Sequence, residues 1–273
     1  MSAVAIERRG AALWARLDRP EALNSLNYEV VAGLELAMDE ALGAEEVRAL
    51  VVTGTGRAFC AGADLDLIAG ADPATGADPG SEDGVAVESG SFERFLAAVF
   101  ETFRRLEALP LPTIAAINGL ALAGGLELVL CCDLAVAAAG AKIGDAHANY
   151  GLLPGGGATV RLPRRVGPAL AKQLMFTGAF LEAEELRHSG LLNDVVPAER
   201  LEATIDELVA AIAAKSPLGL ARMKQLADDA LAAPVEVGLR AELVASSLHG
   251  RSADMAEGLA AFREKRTPEF RGR

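Results

Sequence analysis

The sequence predicts an α/β protein with its strands early and its helices late. Three apolar runs at 47–53, 113–117 and 134–138 have the length and composition of buried strands, and the first two open into glycine-punctuated turns. From Pro168 onward the apolar residues recur almost continuously at helical spacing. Among the 273 residues, 51% are hydrophobic and 23% charged, enough to build a globular core.

Taken in order, residues 4–6 and 12–17 are short apolar runs around Arg9-Gly10 and predict a hairpin. Residues 19–27 form a polar loop that ends in helix-cap residues. Val30, Leu34, Ala37, Met38, Ala41 and Leu42 then mark one apolar helix face. The run at 47–53 is a buried strand, and Gly54, Gly56 and Gly62 punctuate the loop after it. Residues 68–91 are rich in Gly, Ala, Asp, Pro and Ser and are expected to be a mobile lid or insertion. Helical spacing resumes at Phe92, Phe95, Val99, Phe103 and Leu106, and Pro110 and Pro112 end that helix. A strand at 113–117, a short helix at 124–130 and a strand at 134–138 follow. Helices are expected near 169–176, 182–188, 198–214, 217–232, 235–248 and 252–264.

Composition excludes several roles. With 38 acidic against 26 basic residues the net charge is −12, so no nucleic-acid partner is expected; phosphates require a basic face. Glu7, Arg8 and Arg9 stand where an export signal needs its apolar core. The most apolar stretch, 113–143, is interrupted by Asn118, Glu127 and Asp133, so no membrane span or membrane partner is expected. Three cysteines, two of them the neighbours Cys131 and Cys132, do not make a disulfide framework; a reducing, cytoplasmic setting is expected. No phosphate loop, dinucleotide fingerprint or hydrolase elbow is present, and the adjacent Cys131 and Cys132 read as core residues rather than metal ligands.

Two turns resemble each other: 51–65, containing Cys60-Ala61-Gly62-Ala63-Asp64-Leu65, and 116–127, containing Leu122-Ala123-Gly124-Gly125-Leu126-Glu127. Each leaves a strand through small residues and enters a helix, whose first amides lack internal partners. Aimed at one point, such amides form an oxyanion hole; the same pattern also serves tight strand-to-helix packing. Glu127 lies in an otherwise apolar or glycine stretch, 120–132. It is either a carboxyl with a raised pKa, fit for acid/base work, or half of a structural ion pair with an arginine. His147, close before Pro154-Gly155-Gly156-Gly157, is a candidate acid/base residue; His188 and His249 look like bystanders. Burial lowers an imidazole pKa, whereas an ionised Glu127 or Asp145 nearby raises it.

Together these motifs resemble the crotonase superfamily, the enoyl-CoA hydratase/isomerase family, over nearly the whole chain. The resemblance rests on residues 19–26, 58–65, 116–127 and the C-terminal stretch 258–266. It implies a spiral of ββα repeats in 1–198 carrying an acyl-CoA site, and a helical region, 199–273, that assembles a homotrimer or a hexamer built as a dimer of trimers. It places the oxyanion-hole amides on Ala63 and Gly124. CoA contacts fall on Glu21, Ala22, Leu23, Ala61, Asp64 and Leu65, with Phe262 and Lys265 supplied by a neighbouring subunit. The resemblance implies no metal or redox cofactor; CoA enters as part of the substrate. Family hydratases use two glutamates around one water. The first falls on Glu127, whereas the position of the second is His147 here. The implied reaction is hydration of a 2,3-enoyl-CoA, with Glu127 activating water and His147 delivering a proton. An isomerase or C–C hydrolase using His147, or a non-catalytic acyl-CoA binder, remains open.

Overall fold

The computed structural model describes residues 2–68 and 91–273. β1 (Val4–Arg9) and β2 (Ala12–Leu17) form the expected antiparallel hairpin, with Val4 opposite Leu17. Gly10 takes the left-handed conformation (φ 58°) that the tight turn between them requires. A short 3-10 turn at Pro20–Ala22 leads to α1 (Tyr28–Gly43), whose N-cap Asn27 accepts a hydrogen bond from the Val30 amide.

Three consecutive units then repeat one plan. β3 (Ala49–Gly54) runs parallel to β2 and hands over to β4 (Ala58–Cys60) and α2 (Leu65–Ile68). α3 (Ser91–Glu107) precedes β5 (Thr113–Ile117), β6 (Leu120–Leu122) and α4 (Gly124–Leu130). β7 (Leu134–Ala138) and β8 (Lys142–Gly144) lead through a 3-10 turn to α5 (Ala158–Val166) and α6 (Pro168–Thr177). The first strand of each unit joins one sheet and the second joins another. β9 (Phe180–Glu182), α7 (Ala183–Leu186) and β10 (Asp194–Val196) complete the pattern. The large sheet has the order β1-β2-β3-β5-β7-β10 and the small one β4-β6-β8-β9. This is the strand–strand–helix spiral that the resemblance implies.

Alternation along the strands separates two cores. Leu13, Leu50, Ala115 and Ala135 face one side, with Val30, Leu34 and Met38 of α1 in the same cluster. Trp14, Val51, Ile114 and Val136 face the other, against Leu201, Ile205 and Val209 of α8 (Leu201–Ala213). Arg9 and Arg16 lie over the Trp14 ring and bridge to Glu202, which fastens α8 to the sheet. α9 (Pro217–Ala230), α10 (Val235–His249) and α11 (Ala253–Glu264) complete the helical C-terminal region. Among the described residues no helix is long and apolar enough to cross a membrane.

Some expectations need correction. Leu42 is not on the apolar face of α1; it is 48% exposed, while Val31 is buried instead. Residues 182–188 are not one helix: Glu182 ends β9 and α7 spans only 183–186. α5 was not expected, because Pro163 inside it and the glycines before it mask its helical spacing. Except for its two end residues, the lid expected at 68–91 lies outside the described residues.

Candidate active site

The two similar turns meet. Leu26 binds the first from behind: its amide donates to the Gly62 carbonyl at 2.7 Å, and its carbonyl accepts from the Asp64 amide at 2.9 Å. Ala63 lies between these bonds, so its own N–H points away from Leu26. Gly124 begins α4, where an amide has no intrahelical partner. A Cβ placed on Gly124 would lie 3.5 Å from the Ala63 nitrogen and 3.4 Å from the Gly62 Cα. The Ala63 and Gly124 amides thus converge, and neither donates to an acceptor among the described residues. Ala123, which aims the second turn, holds a strained positive φ of 48°.

Gly125 is required for this approach, because a Cβ there would overlap the carbonyl oxygen of Cys60. Gly125→Ala should therefore destabilise the protein by at least the ~1–3 kcal/mol typical of overpacking. Denaturant unfolding measures this, and an unchanged midpoint would mean that the loops are not locked together.

Glu127 projects from α4 and is 3% exposed. Its Oε1 accepts the Ala158 amide at 3.0 Å, at the N-terminus of α5, and Gly156 leaves space beside Oε2 that a Cβ would fill. No arginine pairs with it among the described residues. Arg161 is instead held bidentately by Glu107, at 2.8 and 2.7 Å. Of the two readings of Glu127, the structural ion pair with an arginine is the one the geometry does not contain. Burial pushes the Glu127 carboxyl above the usual range, against the opposing pull of the Ala158 amide and His147.

Oε2 of Glu127 faces Nε2 of His147 at 3.9 Å. The other ring nitrogen, Nδ1, meets Oδ1 of Asp145 at 3.1 Å. Burial lowers the His147 pKa, but the contact with Asp145 and the charges of Glu127 and Asp145 outweigh it, and the net shift is upward. Both carboxylates named as raising influences in the sequence thus face the ring. Two convergent amides with no acceptor among the described residues, a buried carboxyl and an imidazole together can stabilise an oxyanion and move protons beside it.

These groups line one cavity of about 430 Å³. Of the residues expected to contact CoA, Ala22, Leu23, Ala61, Asp64 and Leu65 line it too. Glu21 is exposed on the neighbouring 3-10 turn, and Asp64 is bound by Arg19 at 3.0 Å. Phe262 and Lys265 are not in its wall; Phe262 on α11 is 83% exposed, and Lys265, the residue that caps the end of α11, is exposed too. The apolar wall of Phe95, Leu96, Val99 and Phe180 was not read as part of a site. Phe95 and Val99 carry the same helical spacing as core residues, so periodicity alone does not reveal them. Asp145 was named only as a charge that could raise the His147 pKa, not as a site residue; its signal was a carboxylate two residues ahead of the candidate histidine. Cys131 and Cys132 are buried core residues, and among the described residues no cluster of His, Cys, Asp or Glu gathers as a metal site.

The sequence model of the enoyl-CoA hydratase/isomerase family matches residues 7–273. The chain is similar to the crotonyl-CoA hydratase of Syntrophomonas wolfei, with 34% identity over 255 residues covering 93% of this chain and 92% of that protein. It is also similar to the 1,2-epoxyphenylacetyl-CoA isomerase of Escherichia coli, with 38% identity over 257 residues covering 94% of each. The crystal structure of an enoyl-CoA hydratase from Bacillus anthracis matches with a TM-score of 0.87 and 33% identity, over 99% of this chain and 100% of that one.

Proposed function

The chain belongs to the enoyl-CoA hydratase/isomerase family, the crotonase superfamily, and on that premise we propose that it adds water across the 2,3-double bond of an enoyl-CoA thioester. It is an enzyme of that family, acting on acyl-CoA. The thioester oxygen sits against the Ala63 and Gly124 amides. Attack at C3 makes that oxygen an enolate, and two fixed donors stabilise it more than the neutral carbonyl. Glu127, as carboxylate, takes a proton from the water as its oxygen bonds to C3. His147, as imidazolium, gives a proton to C2. The product gains one water. Return of the proton from Glu127 to His147 restores the starting pair.

The observation that carries this reading is the 3.9 Å gap between Glu127 Oε2 and His147 Nε2, in the same cavity as the two amides. A water lodged against both atoms is oriented and activated by them. Ala22, Leu23, Ala61, Asp64 and Leu65 would line the path of the CoA moiety, with Glu21 at its outer end. Isomerisation of a CoA thioester is the second reading, favoured by one relative's being a 1,2-epoxyphenylacetyl-CoA isomerase. Crotonyl-CoA separates the possibilities. Hydration predicts loss of the enoyl absorbance with gain of one water by mass. A panel of enoyl-CoA thioesters rearranged at unchanged mass would support isomerisation, cleavage of an acyl chain a C–C hydrolase, and tight binding without turnover a binder.

The assembly proposed is a homotrimer, or a hexamer of two trimers, with 1–198 carrying the site and 199–273 the subunit contacts. In its support, α10 buries none of its residues, and Val235, Leu243, Val244 and Leu248 are more than half exposed. In that assembly Phe262 and Lys265 would complete a neighbour's CoA site. Light scattering at micromolar concentration should give a mass that is a multiple of three chains; a monomer would overturn the shared site as well as the assembly.

A further inference from the structure

We infer that Asp145 is a positioning residue for His147: its carboxylate holds the proton on Nδ1, so that Nε2 is the atom presented to Glu127 and the cavity. The inference rests on the proposed reaction only for its kinetic consequences; the protonation it assigns can be observed directly.

Oδ1 of Asp145 lies 3.1 Å from Nδ1 of His147 and accepts the His147 backbone amide at 3.3 Å. Asp145 is 1% exposed, and its Oδ2 is buried without a hydrogen-bond partner among the described residues. His147 is its one ion-pair partner among those residues. If Asp145 served only to close the turn, asparagine would accept the same amide without burying a charge. The one group that makes use of the charge is the imidazole. A carboxylate is an acceptor only, so the nitrogen it touches must carry hydrogen. In the neutral ring that leaves the Nε2 lone pair facing Oε2 of Glu127. When Nε2 takes a proton, the imidazolium stands between two carboxylates.

The groups that face the ring are Asp145 on its own turn and Glu127 from α4, with the Tyr150 phenol farther along the same cavity wall. Beyond Glu127, Arg161 of α5 and Glu107 of α3 neutralise one another.

Protein labelled with ¹⁵N-histidine gives the test by long-range proton–nitrogen correlation across pH. The chain has three histidines, and His147→Gln identifies the signals of His147 by their loss. In the wild type, neutral His147 is expected to carry its proton on Nδ1. Asp145→Asn keeps the turn but removes the charge, so the His147 titration should move to lower pH and the Nδ1–H preference should weaken. kcat should fall roughly 10–100-fold, as for the outer partners of ligating imidazoles, with little change in KM. The falling alkaline limb of kcat/KM should shift to lower pH in step with the NMR titration. A wild-type ring protonated on Nε2 would overturn the assignment without need of any variant. So would an Asp145→Asn protein whose His147 keeps its tautomer and midpoint. Failure to hydrate crotonyl-CoA, with the NMR response intact, would remove the proposed reaction and leave the positioning role standing.

Discussion

Glu127→Gln is expected to lower kcat on crotonyl-CoA by ~10²–10⁴-fold, the usual loss when a general base is removed, with acyl-CoA affinity within a few-fold of the parent. Glutamine has nearly the same shape, and its amide oxygen can still accept from the Ala158 N–H that Glu127 binds at 3.0 Å. Among the described residues no hydrogen bond joins the Ala63 or Gly124 amide to this side chain, so the proposed thioester seat should survive. What disappears is the group that takes a proton from water. The substitution also removes a buried charge, so the fold should be no less stable. Turnover within a few-fold of the parent, measured by loss of enoyl absorbance, would remove Glu127 from the chemistry.

The second large effect is expected at His147, and it shows in the pH profile. In the proposed reaction the working pair is carboxylate plus imidazolium. Activity should rise as pH passes the raised pKa of Glu127, above its ordinary 4.5, and fall as pH passes the raised pKa of His147, above its ordinary 6.5. kcat/KM should therefore be bell-shaped, with an alkaline limb belonging to the imidazole. His147→Gln hydrogen-bonds but transfers no proton; it should lose that limb and run at a rate lower by ~10²–10⁴-fold. His147→Glu rebuilds a pair of glutamates and should restore hydration toward or above the parent rate. Unchanged rates and unchanged pH dependence in both variants would make His147 a wall residue and overturn the two-residue mechanism.

The strands at 113–117 and 134–138 and the helix at 124–130 were legible to the residue, because buried runs of five to seven residues between turn signals admit few alternatives. β4, β6, β8 and β9 were not. Each has three residues, too few to display a period of two, and their pairing depends on neighbours distant in sequence. Glu127 stood out because a carboxylate among apolar residues is costly and so informative. Asp145 was legible only as a charge near the imidazole, since an aspartate beside a glycine does not show which ring nitrogen it meets until its neighbours in space are known. The assignments of Phe262 and Lys265 came from resemblance alone, because nothing in their spacing distinguishes a subunit contact from an exposed helix face.

The strained turn at Ala123 belongs to a wider pattern. Among the described residues five non-glycines have positive φ: Leu23, Asn24, Ala123, Ala146 and Lys265. Leu23, Ala123 and Ala146 line the cavity, and Asn24 adjoins it. Such conformations destabilise a fold by about 1–3 kcal/mol each, so the strain is concentrated where the amides and the imidazole must be aimed. Ala123 and Ala146 are therefore positions where glycine would relieve the backbone and, by the same freedom, let the Gly124 amide or the His147 ring drift. Selection for thermostability alone would favour relaxing these turns, and selection for turnover would oppose it. The site is the part of this molecule where robustness and rate pull in opposite directions.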